Sequence, residues 1–319
     1  MPPLLLLLAA CNPSACIEIT PGNPSVDGGA TDDTATQADD TGDTGPIDTG
    51  PAPACDLPEV EPNHPYENAQ TLPMEQWACG WFADDDDGAE IFSFENAEPG
   101  WLRVWARAFE IGSLADITLS VYTTEAPYAA SRLSNPDSTD AMLVFPVDDE
   151  YEFYATLNEQ YGRHGKAYAW NLMASQVKAP LEWNGEEQAS NDTSATAQVV
   201  VDGDRIYGRM NTSTDYDWYA LELPEGRTDL VIDIEAFKYG SPADIRMEFY
   251  RPDGTRYTAS SNTSDEGLND ADPKLTPSVT YGGTWTVKVM PETDDEGNLE
   301  GGGGSAFWYV LDVSITSEG

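Results

Sequence analysis

The sequence predicts an all-β chain, with two tandem jelly-roll-like antiparallel β-sandwiches after a disordered tether. An internal repeat is the first reason: Ser113–Ile117 reads Ser-Leu-Ala-Asp-Ile, and Ser241–Ile245 reads Ser-Pro-Ala-Asp-Ile, at an offset of 128 residues (241 minus 113). The second is the alternation of apolar and polar residues in segments such as 102–108 and 230–235, which is typical of half-buried strands. Turn signals such as Pro252-Asp253-Gly254 separate these segments, at spacings typical of sandwiches.

The repeat also sets the predicted domain boundaries. The same offset matches Asn63 with Asn191, Gly80 with Gly208, and Tyr122 with Tyr250, and a fixed offset held over so many positions indicates a duplicated structural unit. Length differences between the copies fall in turn-rich segments, where insertions are tolerated. We predict one sandwich at 56–178 and a second at 182–318.

The N-terminus resembles a bacterial lipoprotein signal. A leucine-rich stretch at 1–10 is followed by Leu8-Ala9-Ala10-Cys11, which is similar to a lipobox and makes Cys11 the lipidated first mature residue. The stretch is too short to span a bilayer, and it has no basic n-region; the alternatives are a start further upstream or an accidental leucine run. Asn12 resembles the residue pattern of outer-membrane sorting. The expected location is therefore the cell envelope, as an outer-membrane lipoprotein that faces the periplasm or the exterior, with the membrane as a partner through the lipid.

The tether predicted at 11–55 is dominated by Thr, Asp, Gly and Pro residues. Like charges and low hydrophobicity leave too little apolar surface to offset the entropy of ordering. The expected role of this segment is to hold the domains away from the membrane.

Cysteine usage and net charge restrict the chemistry further. With Cys11 lipidated, Cys16, Cys55 and Cys79 remain, and an exported compartment permits disulfides. Cys55 with Cys79 is the preferred pair; the alternative is that none of them pair. The formal net charge of −42 argues against nucleic acid or an anionic lipid surface as a partner. It favours divalent cations, cationic partners or a high-salt setting.

The order of motifs within each copy resembles the bacterial pre-peptidase C-terminal (PPC) domain. The resemblance is clearest in the second copy, at Asn191-Asp192, Asp215–Tyr219, Ala243–Ile245, Phe249-Tyr250, Pro252–Gly254, Gly283–Val287 and Tyr309–Val313. It implies a jelly-roll-like sandwich of secreted and surface proteins that is not itself catalytic. The family is similar to the collagen-binding domains of clostridial collagenases, in which an acidic lead-in segment and an acidic loop bind calcium.

Oxygen-bearing residues occur where this resemblance implies a Ca²⁺ site. In an extended segment, side chains at alternate positions share one face, and hard oxygen ligands suit calcium. Neither copy carries the full pattern, since Ala189 replaces the second glutamate of the first copy and His64 stands opposite Asp192. The first copy is the better candidate, and the alternative is a solvated acidic turn. The candidate ligands are Glu59, Glu61, Asn63, Asp84 and Asp87 in the first copy, and Glu187, Asn191, Asp192, Asp215 and Asp217 in the second.

The remaining residues favour binding over catalysis. The only histidines, His64 and His164, belong to no zinc-protease, nucleophile-elbow or P-loop motif. Arg103, Trp105 and Arg107 alternate with apolar residues, so one face of that strand is a candidate platform for a sugar or a peptide; ordinary packing is the alternative. The sequence thus predicts a non-catalytic, lipid-anchored envelope protein with calcium-stabilised binding or spacer modules and an extracellular protein or glycan as partner. The alternative is an accessory or carbohydrate-active secreted hydrolase.

Overall fold

The computed structural model of the chain describes residues 55–63, 66–83, 89–94, 99–123, 127–131, 140–147, 153–260, 272–292 and 303–317. These residues belong to one compact unit, Asp48–Gly319. The predicted signal peptide, the lipidation site Cys11 and the tether up to residue 54 lie outside the described residues. Within the described ranges, no helix has the length and apolar character needed to cross a membrane.

The described residues of the first copy form ten strands and two single-turn 3-10 helices. The helices are Tyr66–Asn68 and Phe109–Ile111. The strands are β1 (Leu57–Pro58), β2 (Gln70–Leu72), β3 (Ala78–Trp81), β4 (Glu90–Phe94), β5 (Gly100–Arg107), β6 (Ile117–Thr123), β7 (Pro127–Ser131), β8 (Met142–Val147), β9 (Phe153–Glu159) and β10 (Ala169–Val177).

These strands form two five-stranded sheets. Sheet A has the order β1-β3-β10-β5-β8, and sheet B has the order β2-β4-β9-β6-β7. Only the first pair of each sheet is parallel, β1 with β3 and β2 with β4, and the remaining pairs are antiparallel. One cluster of buried residues, including Leu102 and Val104 of sheet A and Ile117 and Leu119 of sheet B, fills the space between the sheets.

The second copy repeats this topology. Its strands are β11 (Gly185–Glu186), β12 (Gln198–Val199), β13 (Arg205–Arg209), β14 (Asp217–Leu223), β15 (Thr228–Glu235), β16 (Ile245–Tyr250), β17 (Arg256–Ser260), β18 (Lys274–Leu275), β19 (Ser278–Val279), β20 (Gly283–Pro291) and β21 (Trp308–Ser317), with a 3-10 helix at Phe237–Tyr239. Sheet C has the order β11-β13-β21-β15-β18, with β19 also on β15, and sheet D has the order β12-β14-β20-β16-β17. The prediction of an all-β fold rich in antiparallel sheets is confirmed.

The two copies contact each other through an aromatic cluster. Trp308 of β21, fully buried, lies 5.2 Å from the ring of Trp101 on β5. Its indole Nε1 donates to the carbonyl oxygen of Val144 at 2.7 Å, and the amide of Val144 donates to the carbonyl oxygen of Gly240 at 2.8 Å. Gly240 has φ of 89°, and a Cβ there would lie 2.8 Å from a methyl group of Val144, so both backbone conformation and close approach require glycine.

Candidate metal centre and ligand platform

The lead-in segment of the first copy, residues 55–63, is fixed by backbone pairing to β3. Leu57 and Pro58 pair with Ala78 and Cys79, and the amide of Glu59 donates to the carbonyl oxygen of Cys79 at 2.9 Å. The carboxylate of Glu59 then lies over Gly80, where a Cβ would be 2.2 Å from its Oε2. Glycine at this position therefore leaves the space that the carboxylate occupies.

Three carboxylates converge beside this glycine. One oxygen from each of Glu59, Glu61 and Glu90 lies within 4.8 Å of the other two. Glu59 and Glu61 come from the lead-in segment, whereas Glu90 is the first residue of β4 and is fully buried. Within the described part of the chain, this is the one group of three acidic, histidine or cysteine side chains with the spacing for a metal ion.

Asn63 ties the three carboxylates together. Its side-chain Nδ2 donates to Glu59 Oε1 at 2.9 Å and to Glu90 Oε2 at 3.1 Å, and its backbone amide donates to Glu61 Oε2 at 3.1 Å. Asn63 is fully buried, and its Oδ1 has no hydrogen-bond partner among the described residues. A buried amide oxygen normally has a partner, so an unsatisfied one needs an explanation.

The electrostatics of the cluster favour a cation. Burial raises the pKa of Glu59 well above the ordinary carboxyl range, and the hydrogen bond and charge of Glu90 and the charge of Glu61 raise it further, against the opposing hydrogen bond from Asn63. Three ionised carboxylates at this spacing repel one another in a poorly solvated site. The oxygen-only donor set and the unsatisfied Asn63 Oδ1 fit Ca²⁺, which prefers six to eight oxygen ligands. The predicted ligands Asp84 and Asp87 lie outside the described residues.

The equivalent residues of the second copy are held by hydrogen bonds from the protein. The carboxylate of Glu187 accepts from the backbone amide of Arg209 at 2.7 Å and from Asn211 Nδ2 at 3.3 Å. Asp217, almost fully buried, accepts from the hydroxyl of Tyr309 at 2.6 Å, and that hydroxyl lies 2.7 Å from the hydroxyl of Tyr219.

The other two acidic candidates of the second copy lie nearer the surface. Asp215 accepts from the backbone amides of Asn211 and Tyr216 at 2.7 and 3.0 Å. Asp192 is exposed, whereas Asn191 beside it is buried. The backbone oxygen of Asn191 accepts from the amide of Trp218 at 2.8 Å.

Burial leaves two of these second-copy carboxyls with raised pKa values. Desolvation raises the pKa of Asp217 to about 8, with the charge of Glu187 as the next cause, and desolvation raises the pKa of Glu187 to about 7. A raised carboxyl pKa is also the profile of a general acid in a hydrolase. Asp217 itself is almost fully buried, and its carboxylate accepts a hydrogen bond from the hydroxyl of Tyr309.

Glu90 is the site residue that sequence reasoning missed. It stands at the start of an apolar strand, shortly after an acidic segment. Its position in the sequence therefore suggested a loop residue. The available signal was the repeat itself, because aligning Ile91-Phe92 with Trp218-Tyr219 places Glu90 opposite Asp217, which was already a candidate ligand.

The predicted cysteine pair and the predicted platform lie on the other face of sheet A. Cys55 and Cys79 form a disulfide with a Cα–Cα distance of 5.7 Å. The guanidinium of Arg107 lies 3.7 Å from the ring centroid of Trp105 and 4.1 Å from that of Trp77, and Arg103 lies 5.6 Å from Trp105. Trp105 and Arg107 are therefore packed against Trp77, which the sequence had not indicated, and Arg103 contacts Trp105 alone among these rings.

Comparison with known proteins finds similar solved structures at low sequence identity. No family model matches the sequence, and no curated protein matches it. Among solved structures, the chain is similar to the pre-peptidase C-terminal domain of collagenase from Bacillus anthracis, with 9% identity, a TM-score of 0.28, and coverage of 34% of this chain and 94% of that one.

Two tandem-module structures are similar over more of the chain. The tandem CBM51 modules of Sp3GH98, the family 98 glycoside hydrolase from Streptococcus pneumoniae SP3-BS71, show 10% identity and a TM-score of 0.23, with coverage of 74% of this chain and 83% of that one. The N-terminal CBM22-1-CBM22-2 tandem domain of Paenibacillus barcinonensis Xyn10C shows 8% identity and a TM-score of 0.22, with coverage of 70% and 80%.

Proposed function

We propose that this chain is a non-catalytic, lipid-anchored protein of the cell envelope, whose β-sandwiches serve as calcium-stabilised binding or spacer modules. The observation that carries the proposal is the cluster of Glu59, Glu61 and Glu90 around the buried Asn63. Such a cluster costs free energy without a cation, because burying carboxylates without compensation is unfavourable. Ca²⁺ bound to the native state would remove that cost.

The chemistry of the donor set supports calcium over other divalent ions. All four side chains offer oxygen, and no cysteine or histidine belongs to the described cluster. Magnesium demands a small octahedral shell and keeps most of its waters, whereas calcium accepts a flexible, mainly protein-derived shell. A partly buried group of three carboxylates and one amide oxygen therefore suits calcium.

Lipid anchoring rests on the sequence pattern that ends at Cys11. The native protein is expected to partition with membranes, and Cys11→Ser is expected to release or misprocess it. Fractionation of cells that express each form, with lipid labelling of the mature N-terminus, measures both effects. A wild-type protein that is soluble and unacylated would refute the anchor and leave the calcium site untouched.

Calcium binding is tested on the full chain by calorimetry and thermal unfolding with and without a chelator. With free calcium near one hundred times its dissociation constant, linkage predicts a stabilisation of about 2.7 kcal/mol, which shifts the unfolding midpoint by several degrees. Glu90→Gln is expected to abolish both the binding heat and the shift.

The matched control is Glu187→Gln in the second copy, where backbone and side-chain donors already satisfy the carboxylate. This variant is expected to keep the calcium response. Identical unfolding of the wild type in calcium and in chelator, with no binding heat, would contradict the calcium proposal. The cluster would then be a group of protonated carboxyls.

A further inference from the structure

Sheet A differs from the rest of this acidic protein in its charge. The chain carries 57 Asp and Glu residues, yet the five strands of sheet A contain none of them and contain two arginines. Each of the other three sheets has acidic residues in its strands, beginning with Glu90 and Glu159 in sheet B. The strands of sheet A therefore carry positive charge only, with Glu110 beside Arg107 and Asp56 beside Trp77 at the border of the sheet.

The arginines of sheet A lie on its outer face. Alternation along β5 buries Leu102, Val104 and Ala106 in the core and turns Arg103, Trp105 and Arg107 outward. On β3, Ala78 is buried and Trp81 is 46% exposed. We call this surface the arginine–tryptophan face, and it consists of Trp77, Trp81, Arg103, Trp105 and Arg107.

Contacts with tryptophan rings hold both cations in place, and Arg107 also has an acidic partner. Arg107 lies between the rings of Trp77 and Trp105, and the two rings meet edge to face at 5.6 Å. Within the described residues, Arg107 has one ion pair, to Glu110 at 3.2 Å, and Arg103 has none. A guanidinium that stacks on a ring keeps its charge. Its N–H groups lie in the guanidinium plane and can donate side-on to a carboxylate.

The second copy provides an internal comparison. At the repeat offset of 128 residues, Trp77 corresponds to Arg205, Trp105 to Asp233 and Arg107 to Glu235. Arg205 forms an ion pair with Glu235, and Lys274 forms one with Asp233. The second copy thus pairs its cations with acidic residues of the same sheet, whereas the first copy has Trp105 and Arg107 at the positions of those acidic residues.

We propose that the arginine–tryptophan face binds a glycan that carries carboxylates, of the uronic acid class. The inference rests on the proposed role of the chain as a binding module and names its ligand chemistry. The guanidinium groups pair with sugar carboxylates, and the indoles, of which Trp81 is the most exposed, cover the apolar faces of the sugar rings. Both kinds of contact are made by side chains. They therefore suit a ligand that does not pair with the sheet as an added β-strand.

An acidic peptide fits this face less well. Extended peptides are usually bound by addition to a free sheet edge, where backbone groups are unpaired. Strand β3 pairs with β1 and β10, and β5 pairs with β10 and β8, so the backbone under this face is already hydrogen-bonded on both sides.

The net charge of the whole protein limits the kind of ligand. At physiological ionic strength, charges are screened over about 8 Å. The two arginines therefore dominate at contact, while a long polyanion would still meet the surrounding acidic surface. The inferred ligand is a short acidic segment of a glycan.

The test is calorimetric titration of the full chain, in calcium and about 0.15 M NaCl, with three probes. Tetragalacturonate has the sugar and the charge, its methyl ester has the sugar alone, and a tetraglutamate peptide has the charge alone. Wild type is expected to bind tetragalacturonate at least about tenfold more tightly than either other probe, since a charged hydrogen bond contributes that much.

Paired variants locate the binding. Arg103→Gln with Arg107→Gln is expected to weaken tetragalacturonate binding by at least about tenfold. Arg251→Gln with Lys274→Gln removes the same charge from the second copy and is expected to leave binding unchanged. If the first pair does not fold, Trp81→Ala tests the same face at a side chain that is 46% exposed, and weaker binding is again expected.

Three results would overturn the inference: no binding of tetragalacturonate by wild type, equal binding of the ester or of tetraglutamate, or unchanged binding by the face variants. The calcium-dependent shift in unfolding is measured on the same samples. An intact shift without glycan binding contradicts this inference alone, whereas a missing shift contradicts the calcium proposal.

Discussion

Two buried carboxyls at equivalent positions of the copies, Glu90 and Asp217, have different surroundings. Glu90 lies against two further glutamates and Asn63, while Asp217 accepts a hydrogen bond from Tyr309. A buried carboxyl needs a counter-charge, a proton or hydrogen-bond donors. In the first copy the donor to the buried carboxyl is Asn63, and in the second copy it is Tyr309.

Asp217 makes the stability of the second copy depend on pH. Its folded pKa of about 8 lies above the ordinary aspartate value, as does that of Glu187 at about 7. Between about pH 4 and pH 8 the folded state therefore holds protons that the unfolded state has released. The stabilisation is complete below about pH 4 and is lost as the pH rises through these folded pKa values.

Asp217→Asn is expected to remove most of this loss, because an amide cannot ionise and its oxygen can still accept from Tyr309. Urea unfolding at pH 5 and pH 8.5 in chelator measures the difference for each protein. Glu222→Gln, on the exposed side of the same strand, is the control and is expected to behave as the wild type does. A pH dependence that Asp217→Asn leaves unchanged would contradict the assignment.

Gly80 is the backbone position on which the carboxylate cluster depends. A Cβ there would lie 2.2 Å from Glu59 Oε2 and 2.6 Å from Trp170. Gly80→Ala is therefore expected to cost about 1–3 kcal/mol in unfolding free energy and to abolish the calcium-induced shift by displacing Glu59.

Gly208→Ala is its counterpart in the second copy, where a Cβ would meet Tyr309 and Glu187. It is expected to cost a similar amount and to preserve the calcium response. Thermal unfolding of both variants with and without calcium separates the two. Loss of the response in both variants would show that overpacking alone explains it.

At the scale of elements, the lead-in segment depends on β3. The β1–β3 pairing covers two residue pairs, which is little backbone to hold Glu59 and Glu61 in position. The Cys55–Cys79 disulfide, with a sequence separation of 24, joins the same two elements. The covalent link and the carboxylate cluster therefore act on one segment from opposite faces of the sheet.

Replacing both cysteines by serine is expected to lower stability by about 3 kcal/mol, from the loop entropy of the unfolded chain. It is also expected to weaken calcium binding, because the unlinked segment must be ordered when the ion binds. Calorimetry of the double variant against the wild type under oxidising conditions measures both. Unchanged calcium affinity would show that backbone pairing alone positions the glutamates.

At the scale of the whole molecule, the two copies are joined by more than their linker. Trp101 packs against Trp308, Tyr207 and Trp183 at centroid distances of 5.2, 6.0 and 6.2 Å. Backbone and indole hydrogen bonds at Val144 add to this contact. The outer face of sheet A thus contacts the second copy at Trp101 and Val144. The arginine–tryptophan face is another part of this outer face.

Trp101→Ala is expected to uncouple the unfolding of the copies, because it removes the largest side chain that the first copy contributes to the contact. Calorimetric unfolding of the wild type is expected to show one transition that calcium shifts as a whole. The variant is expected to show two transitions, of which calcium shifts one. Two independent transitions in the wild type would mean that the contact contributes little free energy.

Much of the fold was readable in the sequence, and the site was readable in part. Alternation and the repeat predicted the β-sandwich class, which is confirmed, and the spacing of Glu59, Glu61 and Asn63 pointed to side chains that the structure does bring together. Glu90 could not be recognised from its neighbours, because an acidic residue at the start of an apolar strand reads as the end of a loop. Its burial depends on the lead-in segment, which packs against the start of β4 through Asn63.

The sequence by itself determined the alternation of apolar and polar residues, the duplicated order of motifs, the net charge and the oxygen-bearing lead-in segment. Each of these can be read from the residues and their order in the chain. Only the tertiary structure decided how the buried carboxyls are compensated and where the cations lie. Tyr309 reaches Asp217 across 92 residues, and Trp77, which directly precedes β3, meets Arg107 of β5. Such environments depend on contacts between segments far apart in sequence, and these are set when the sheets pack.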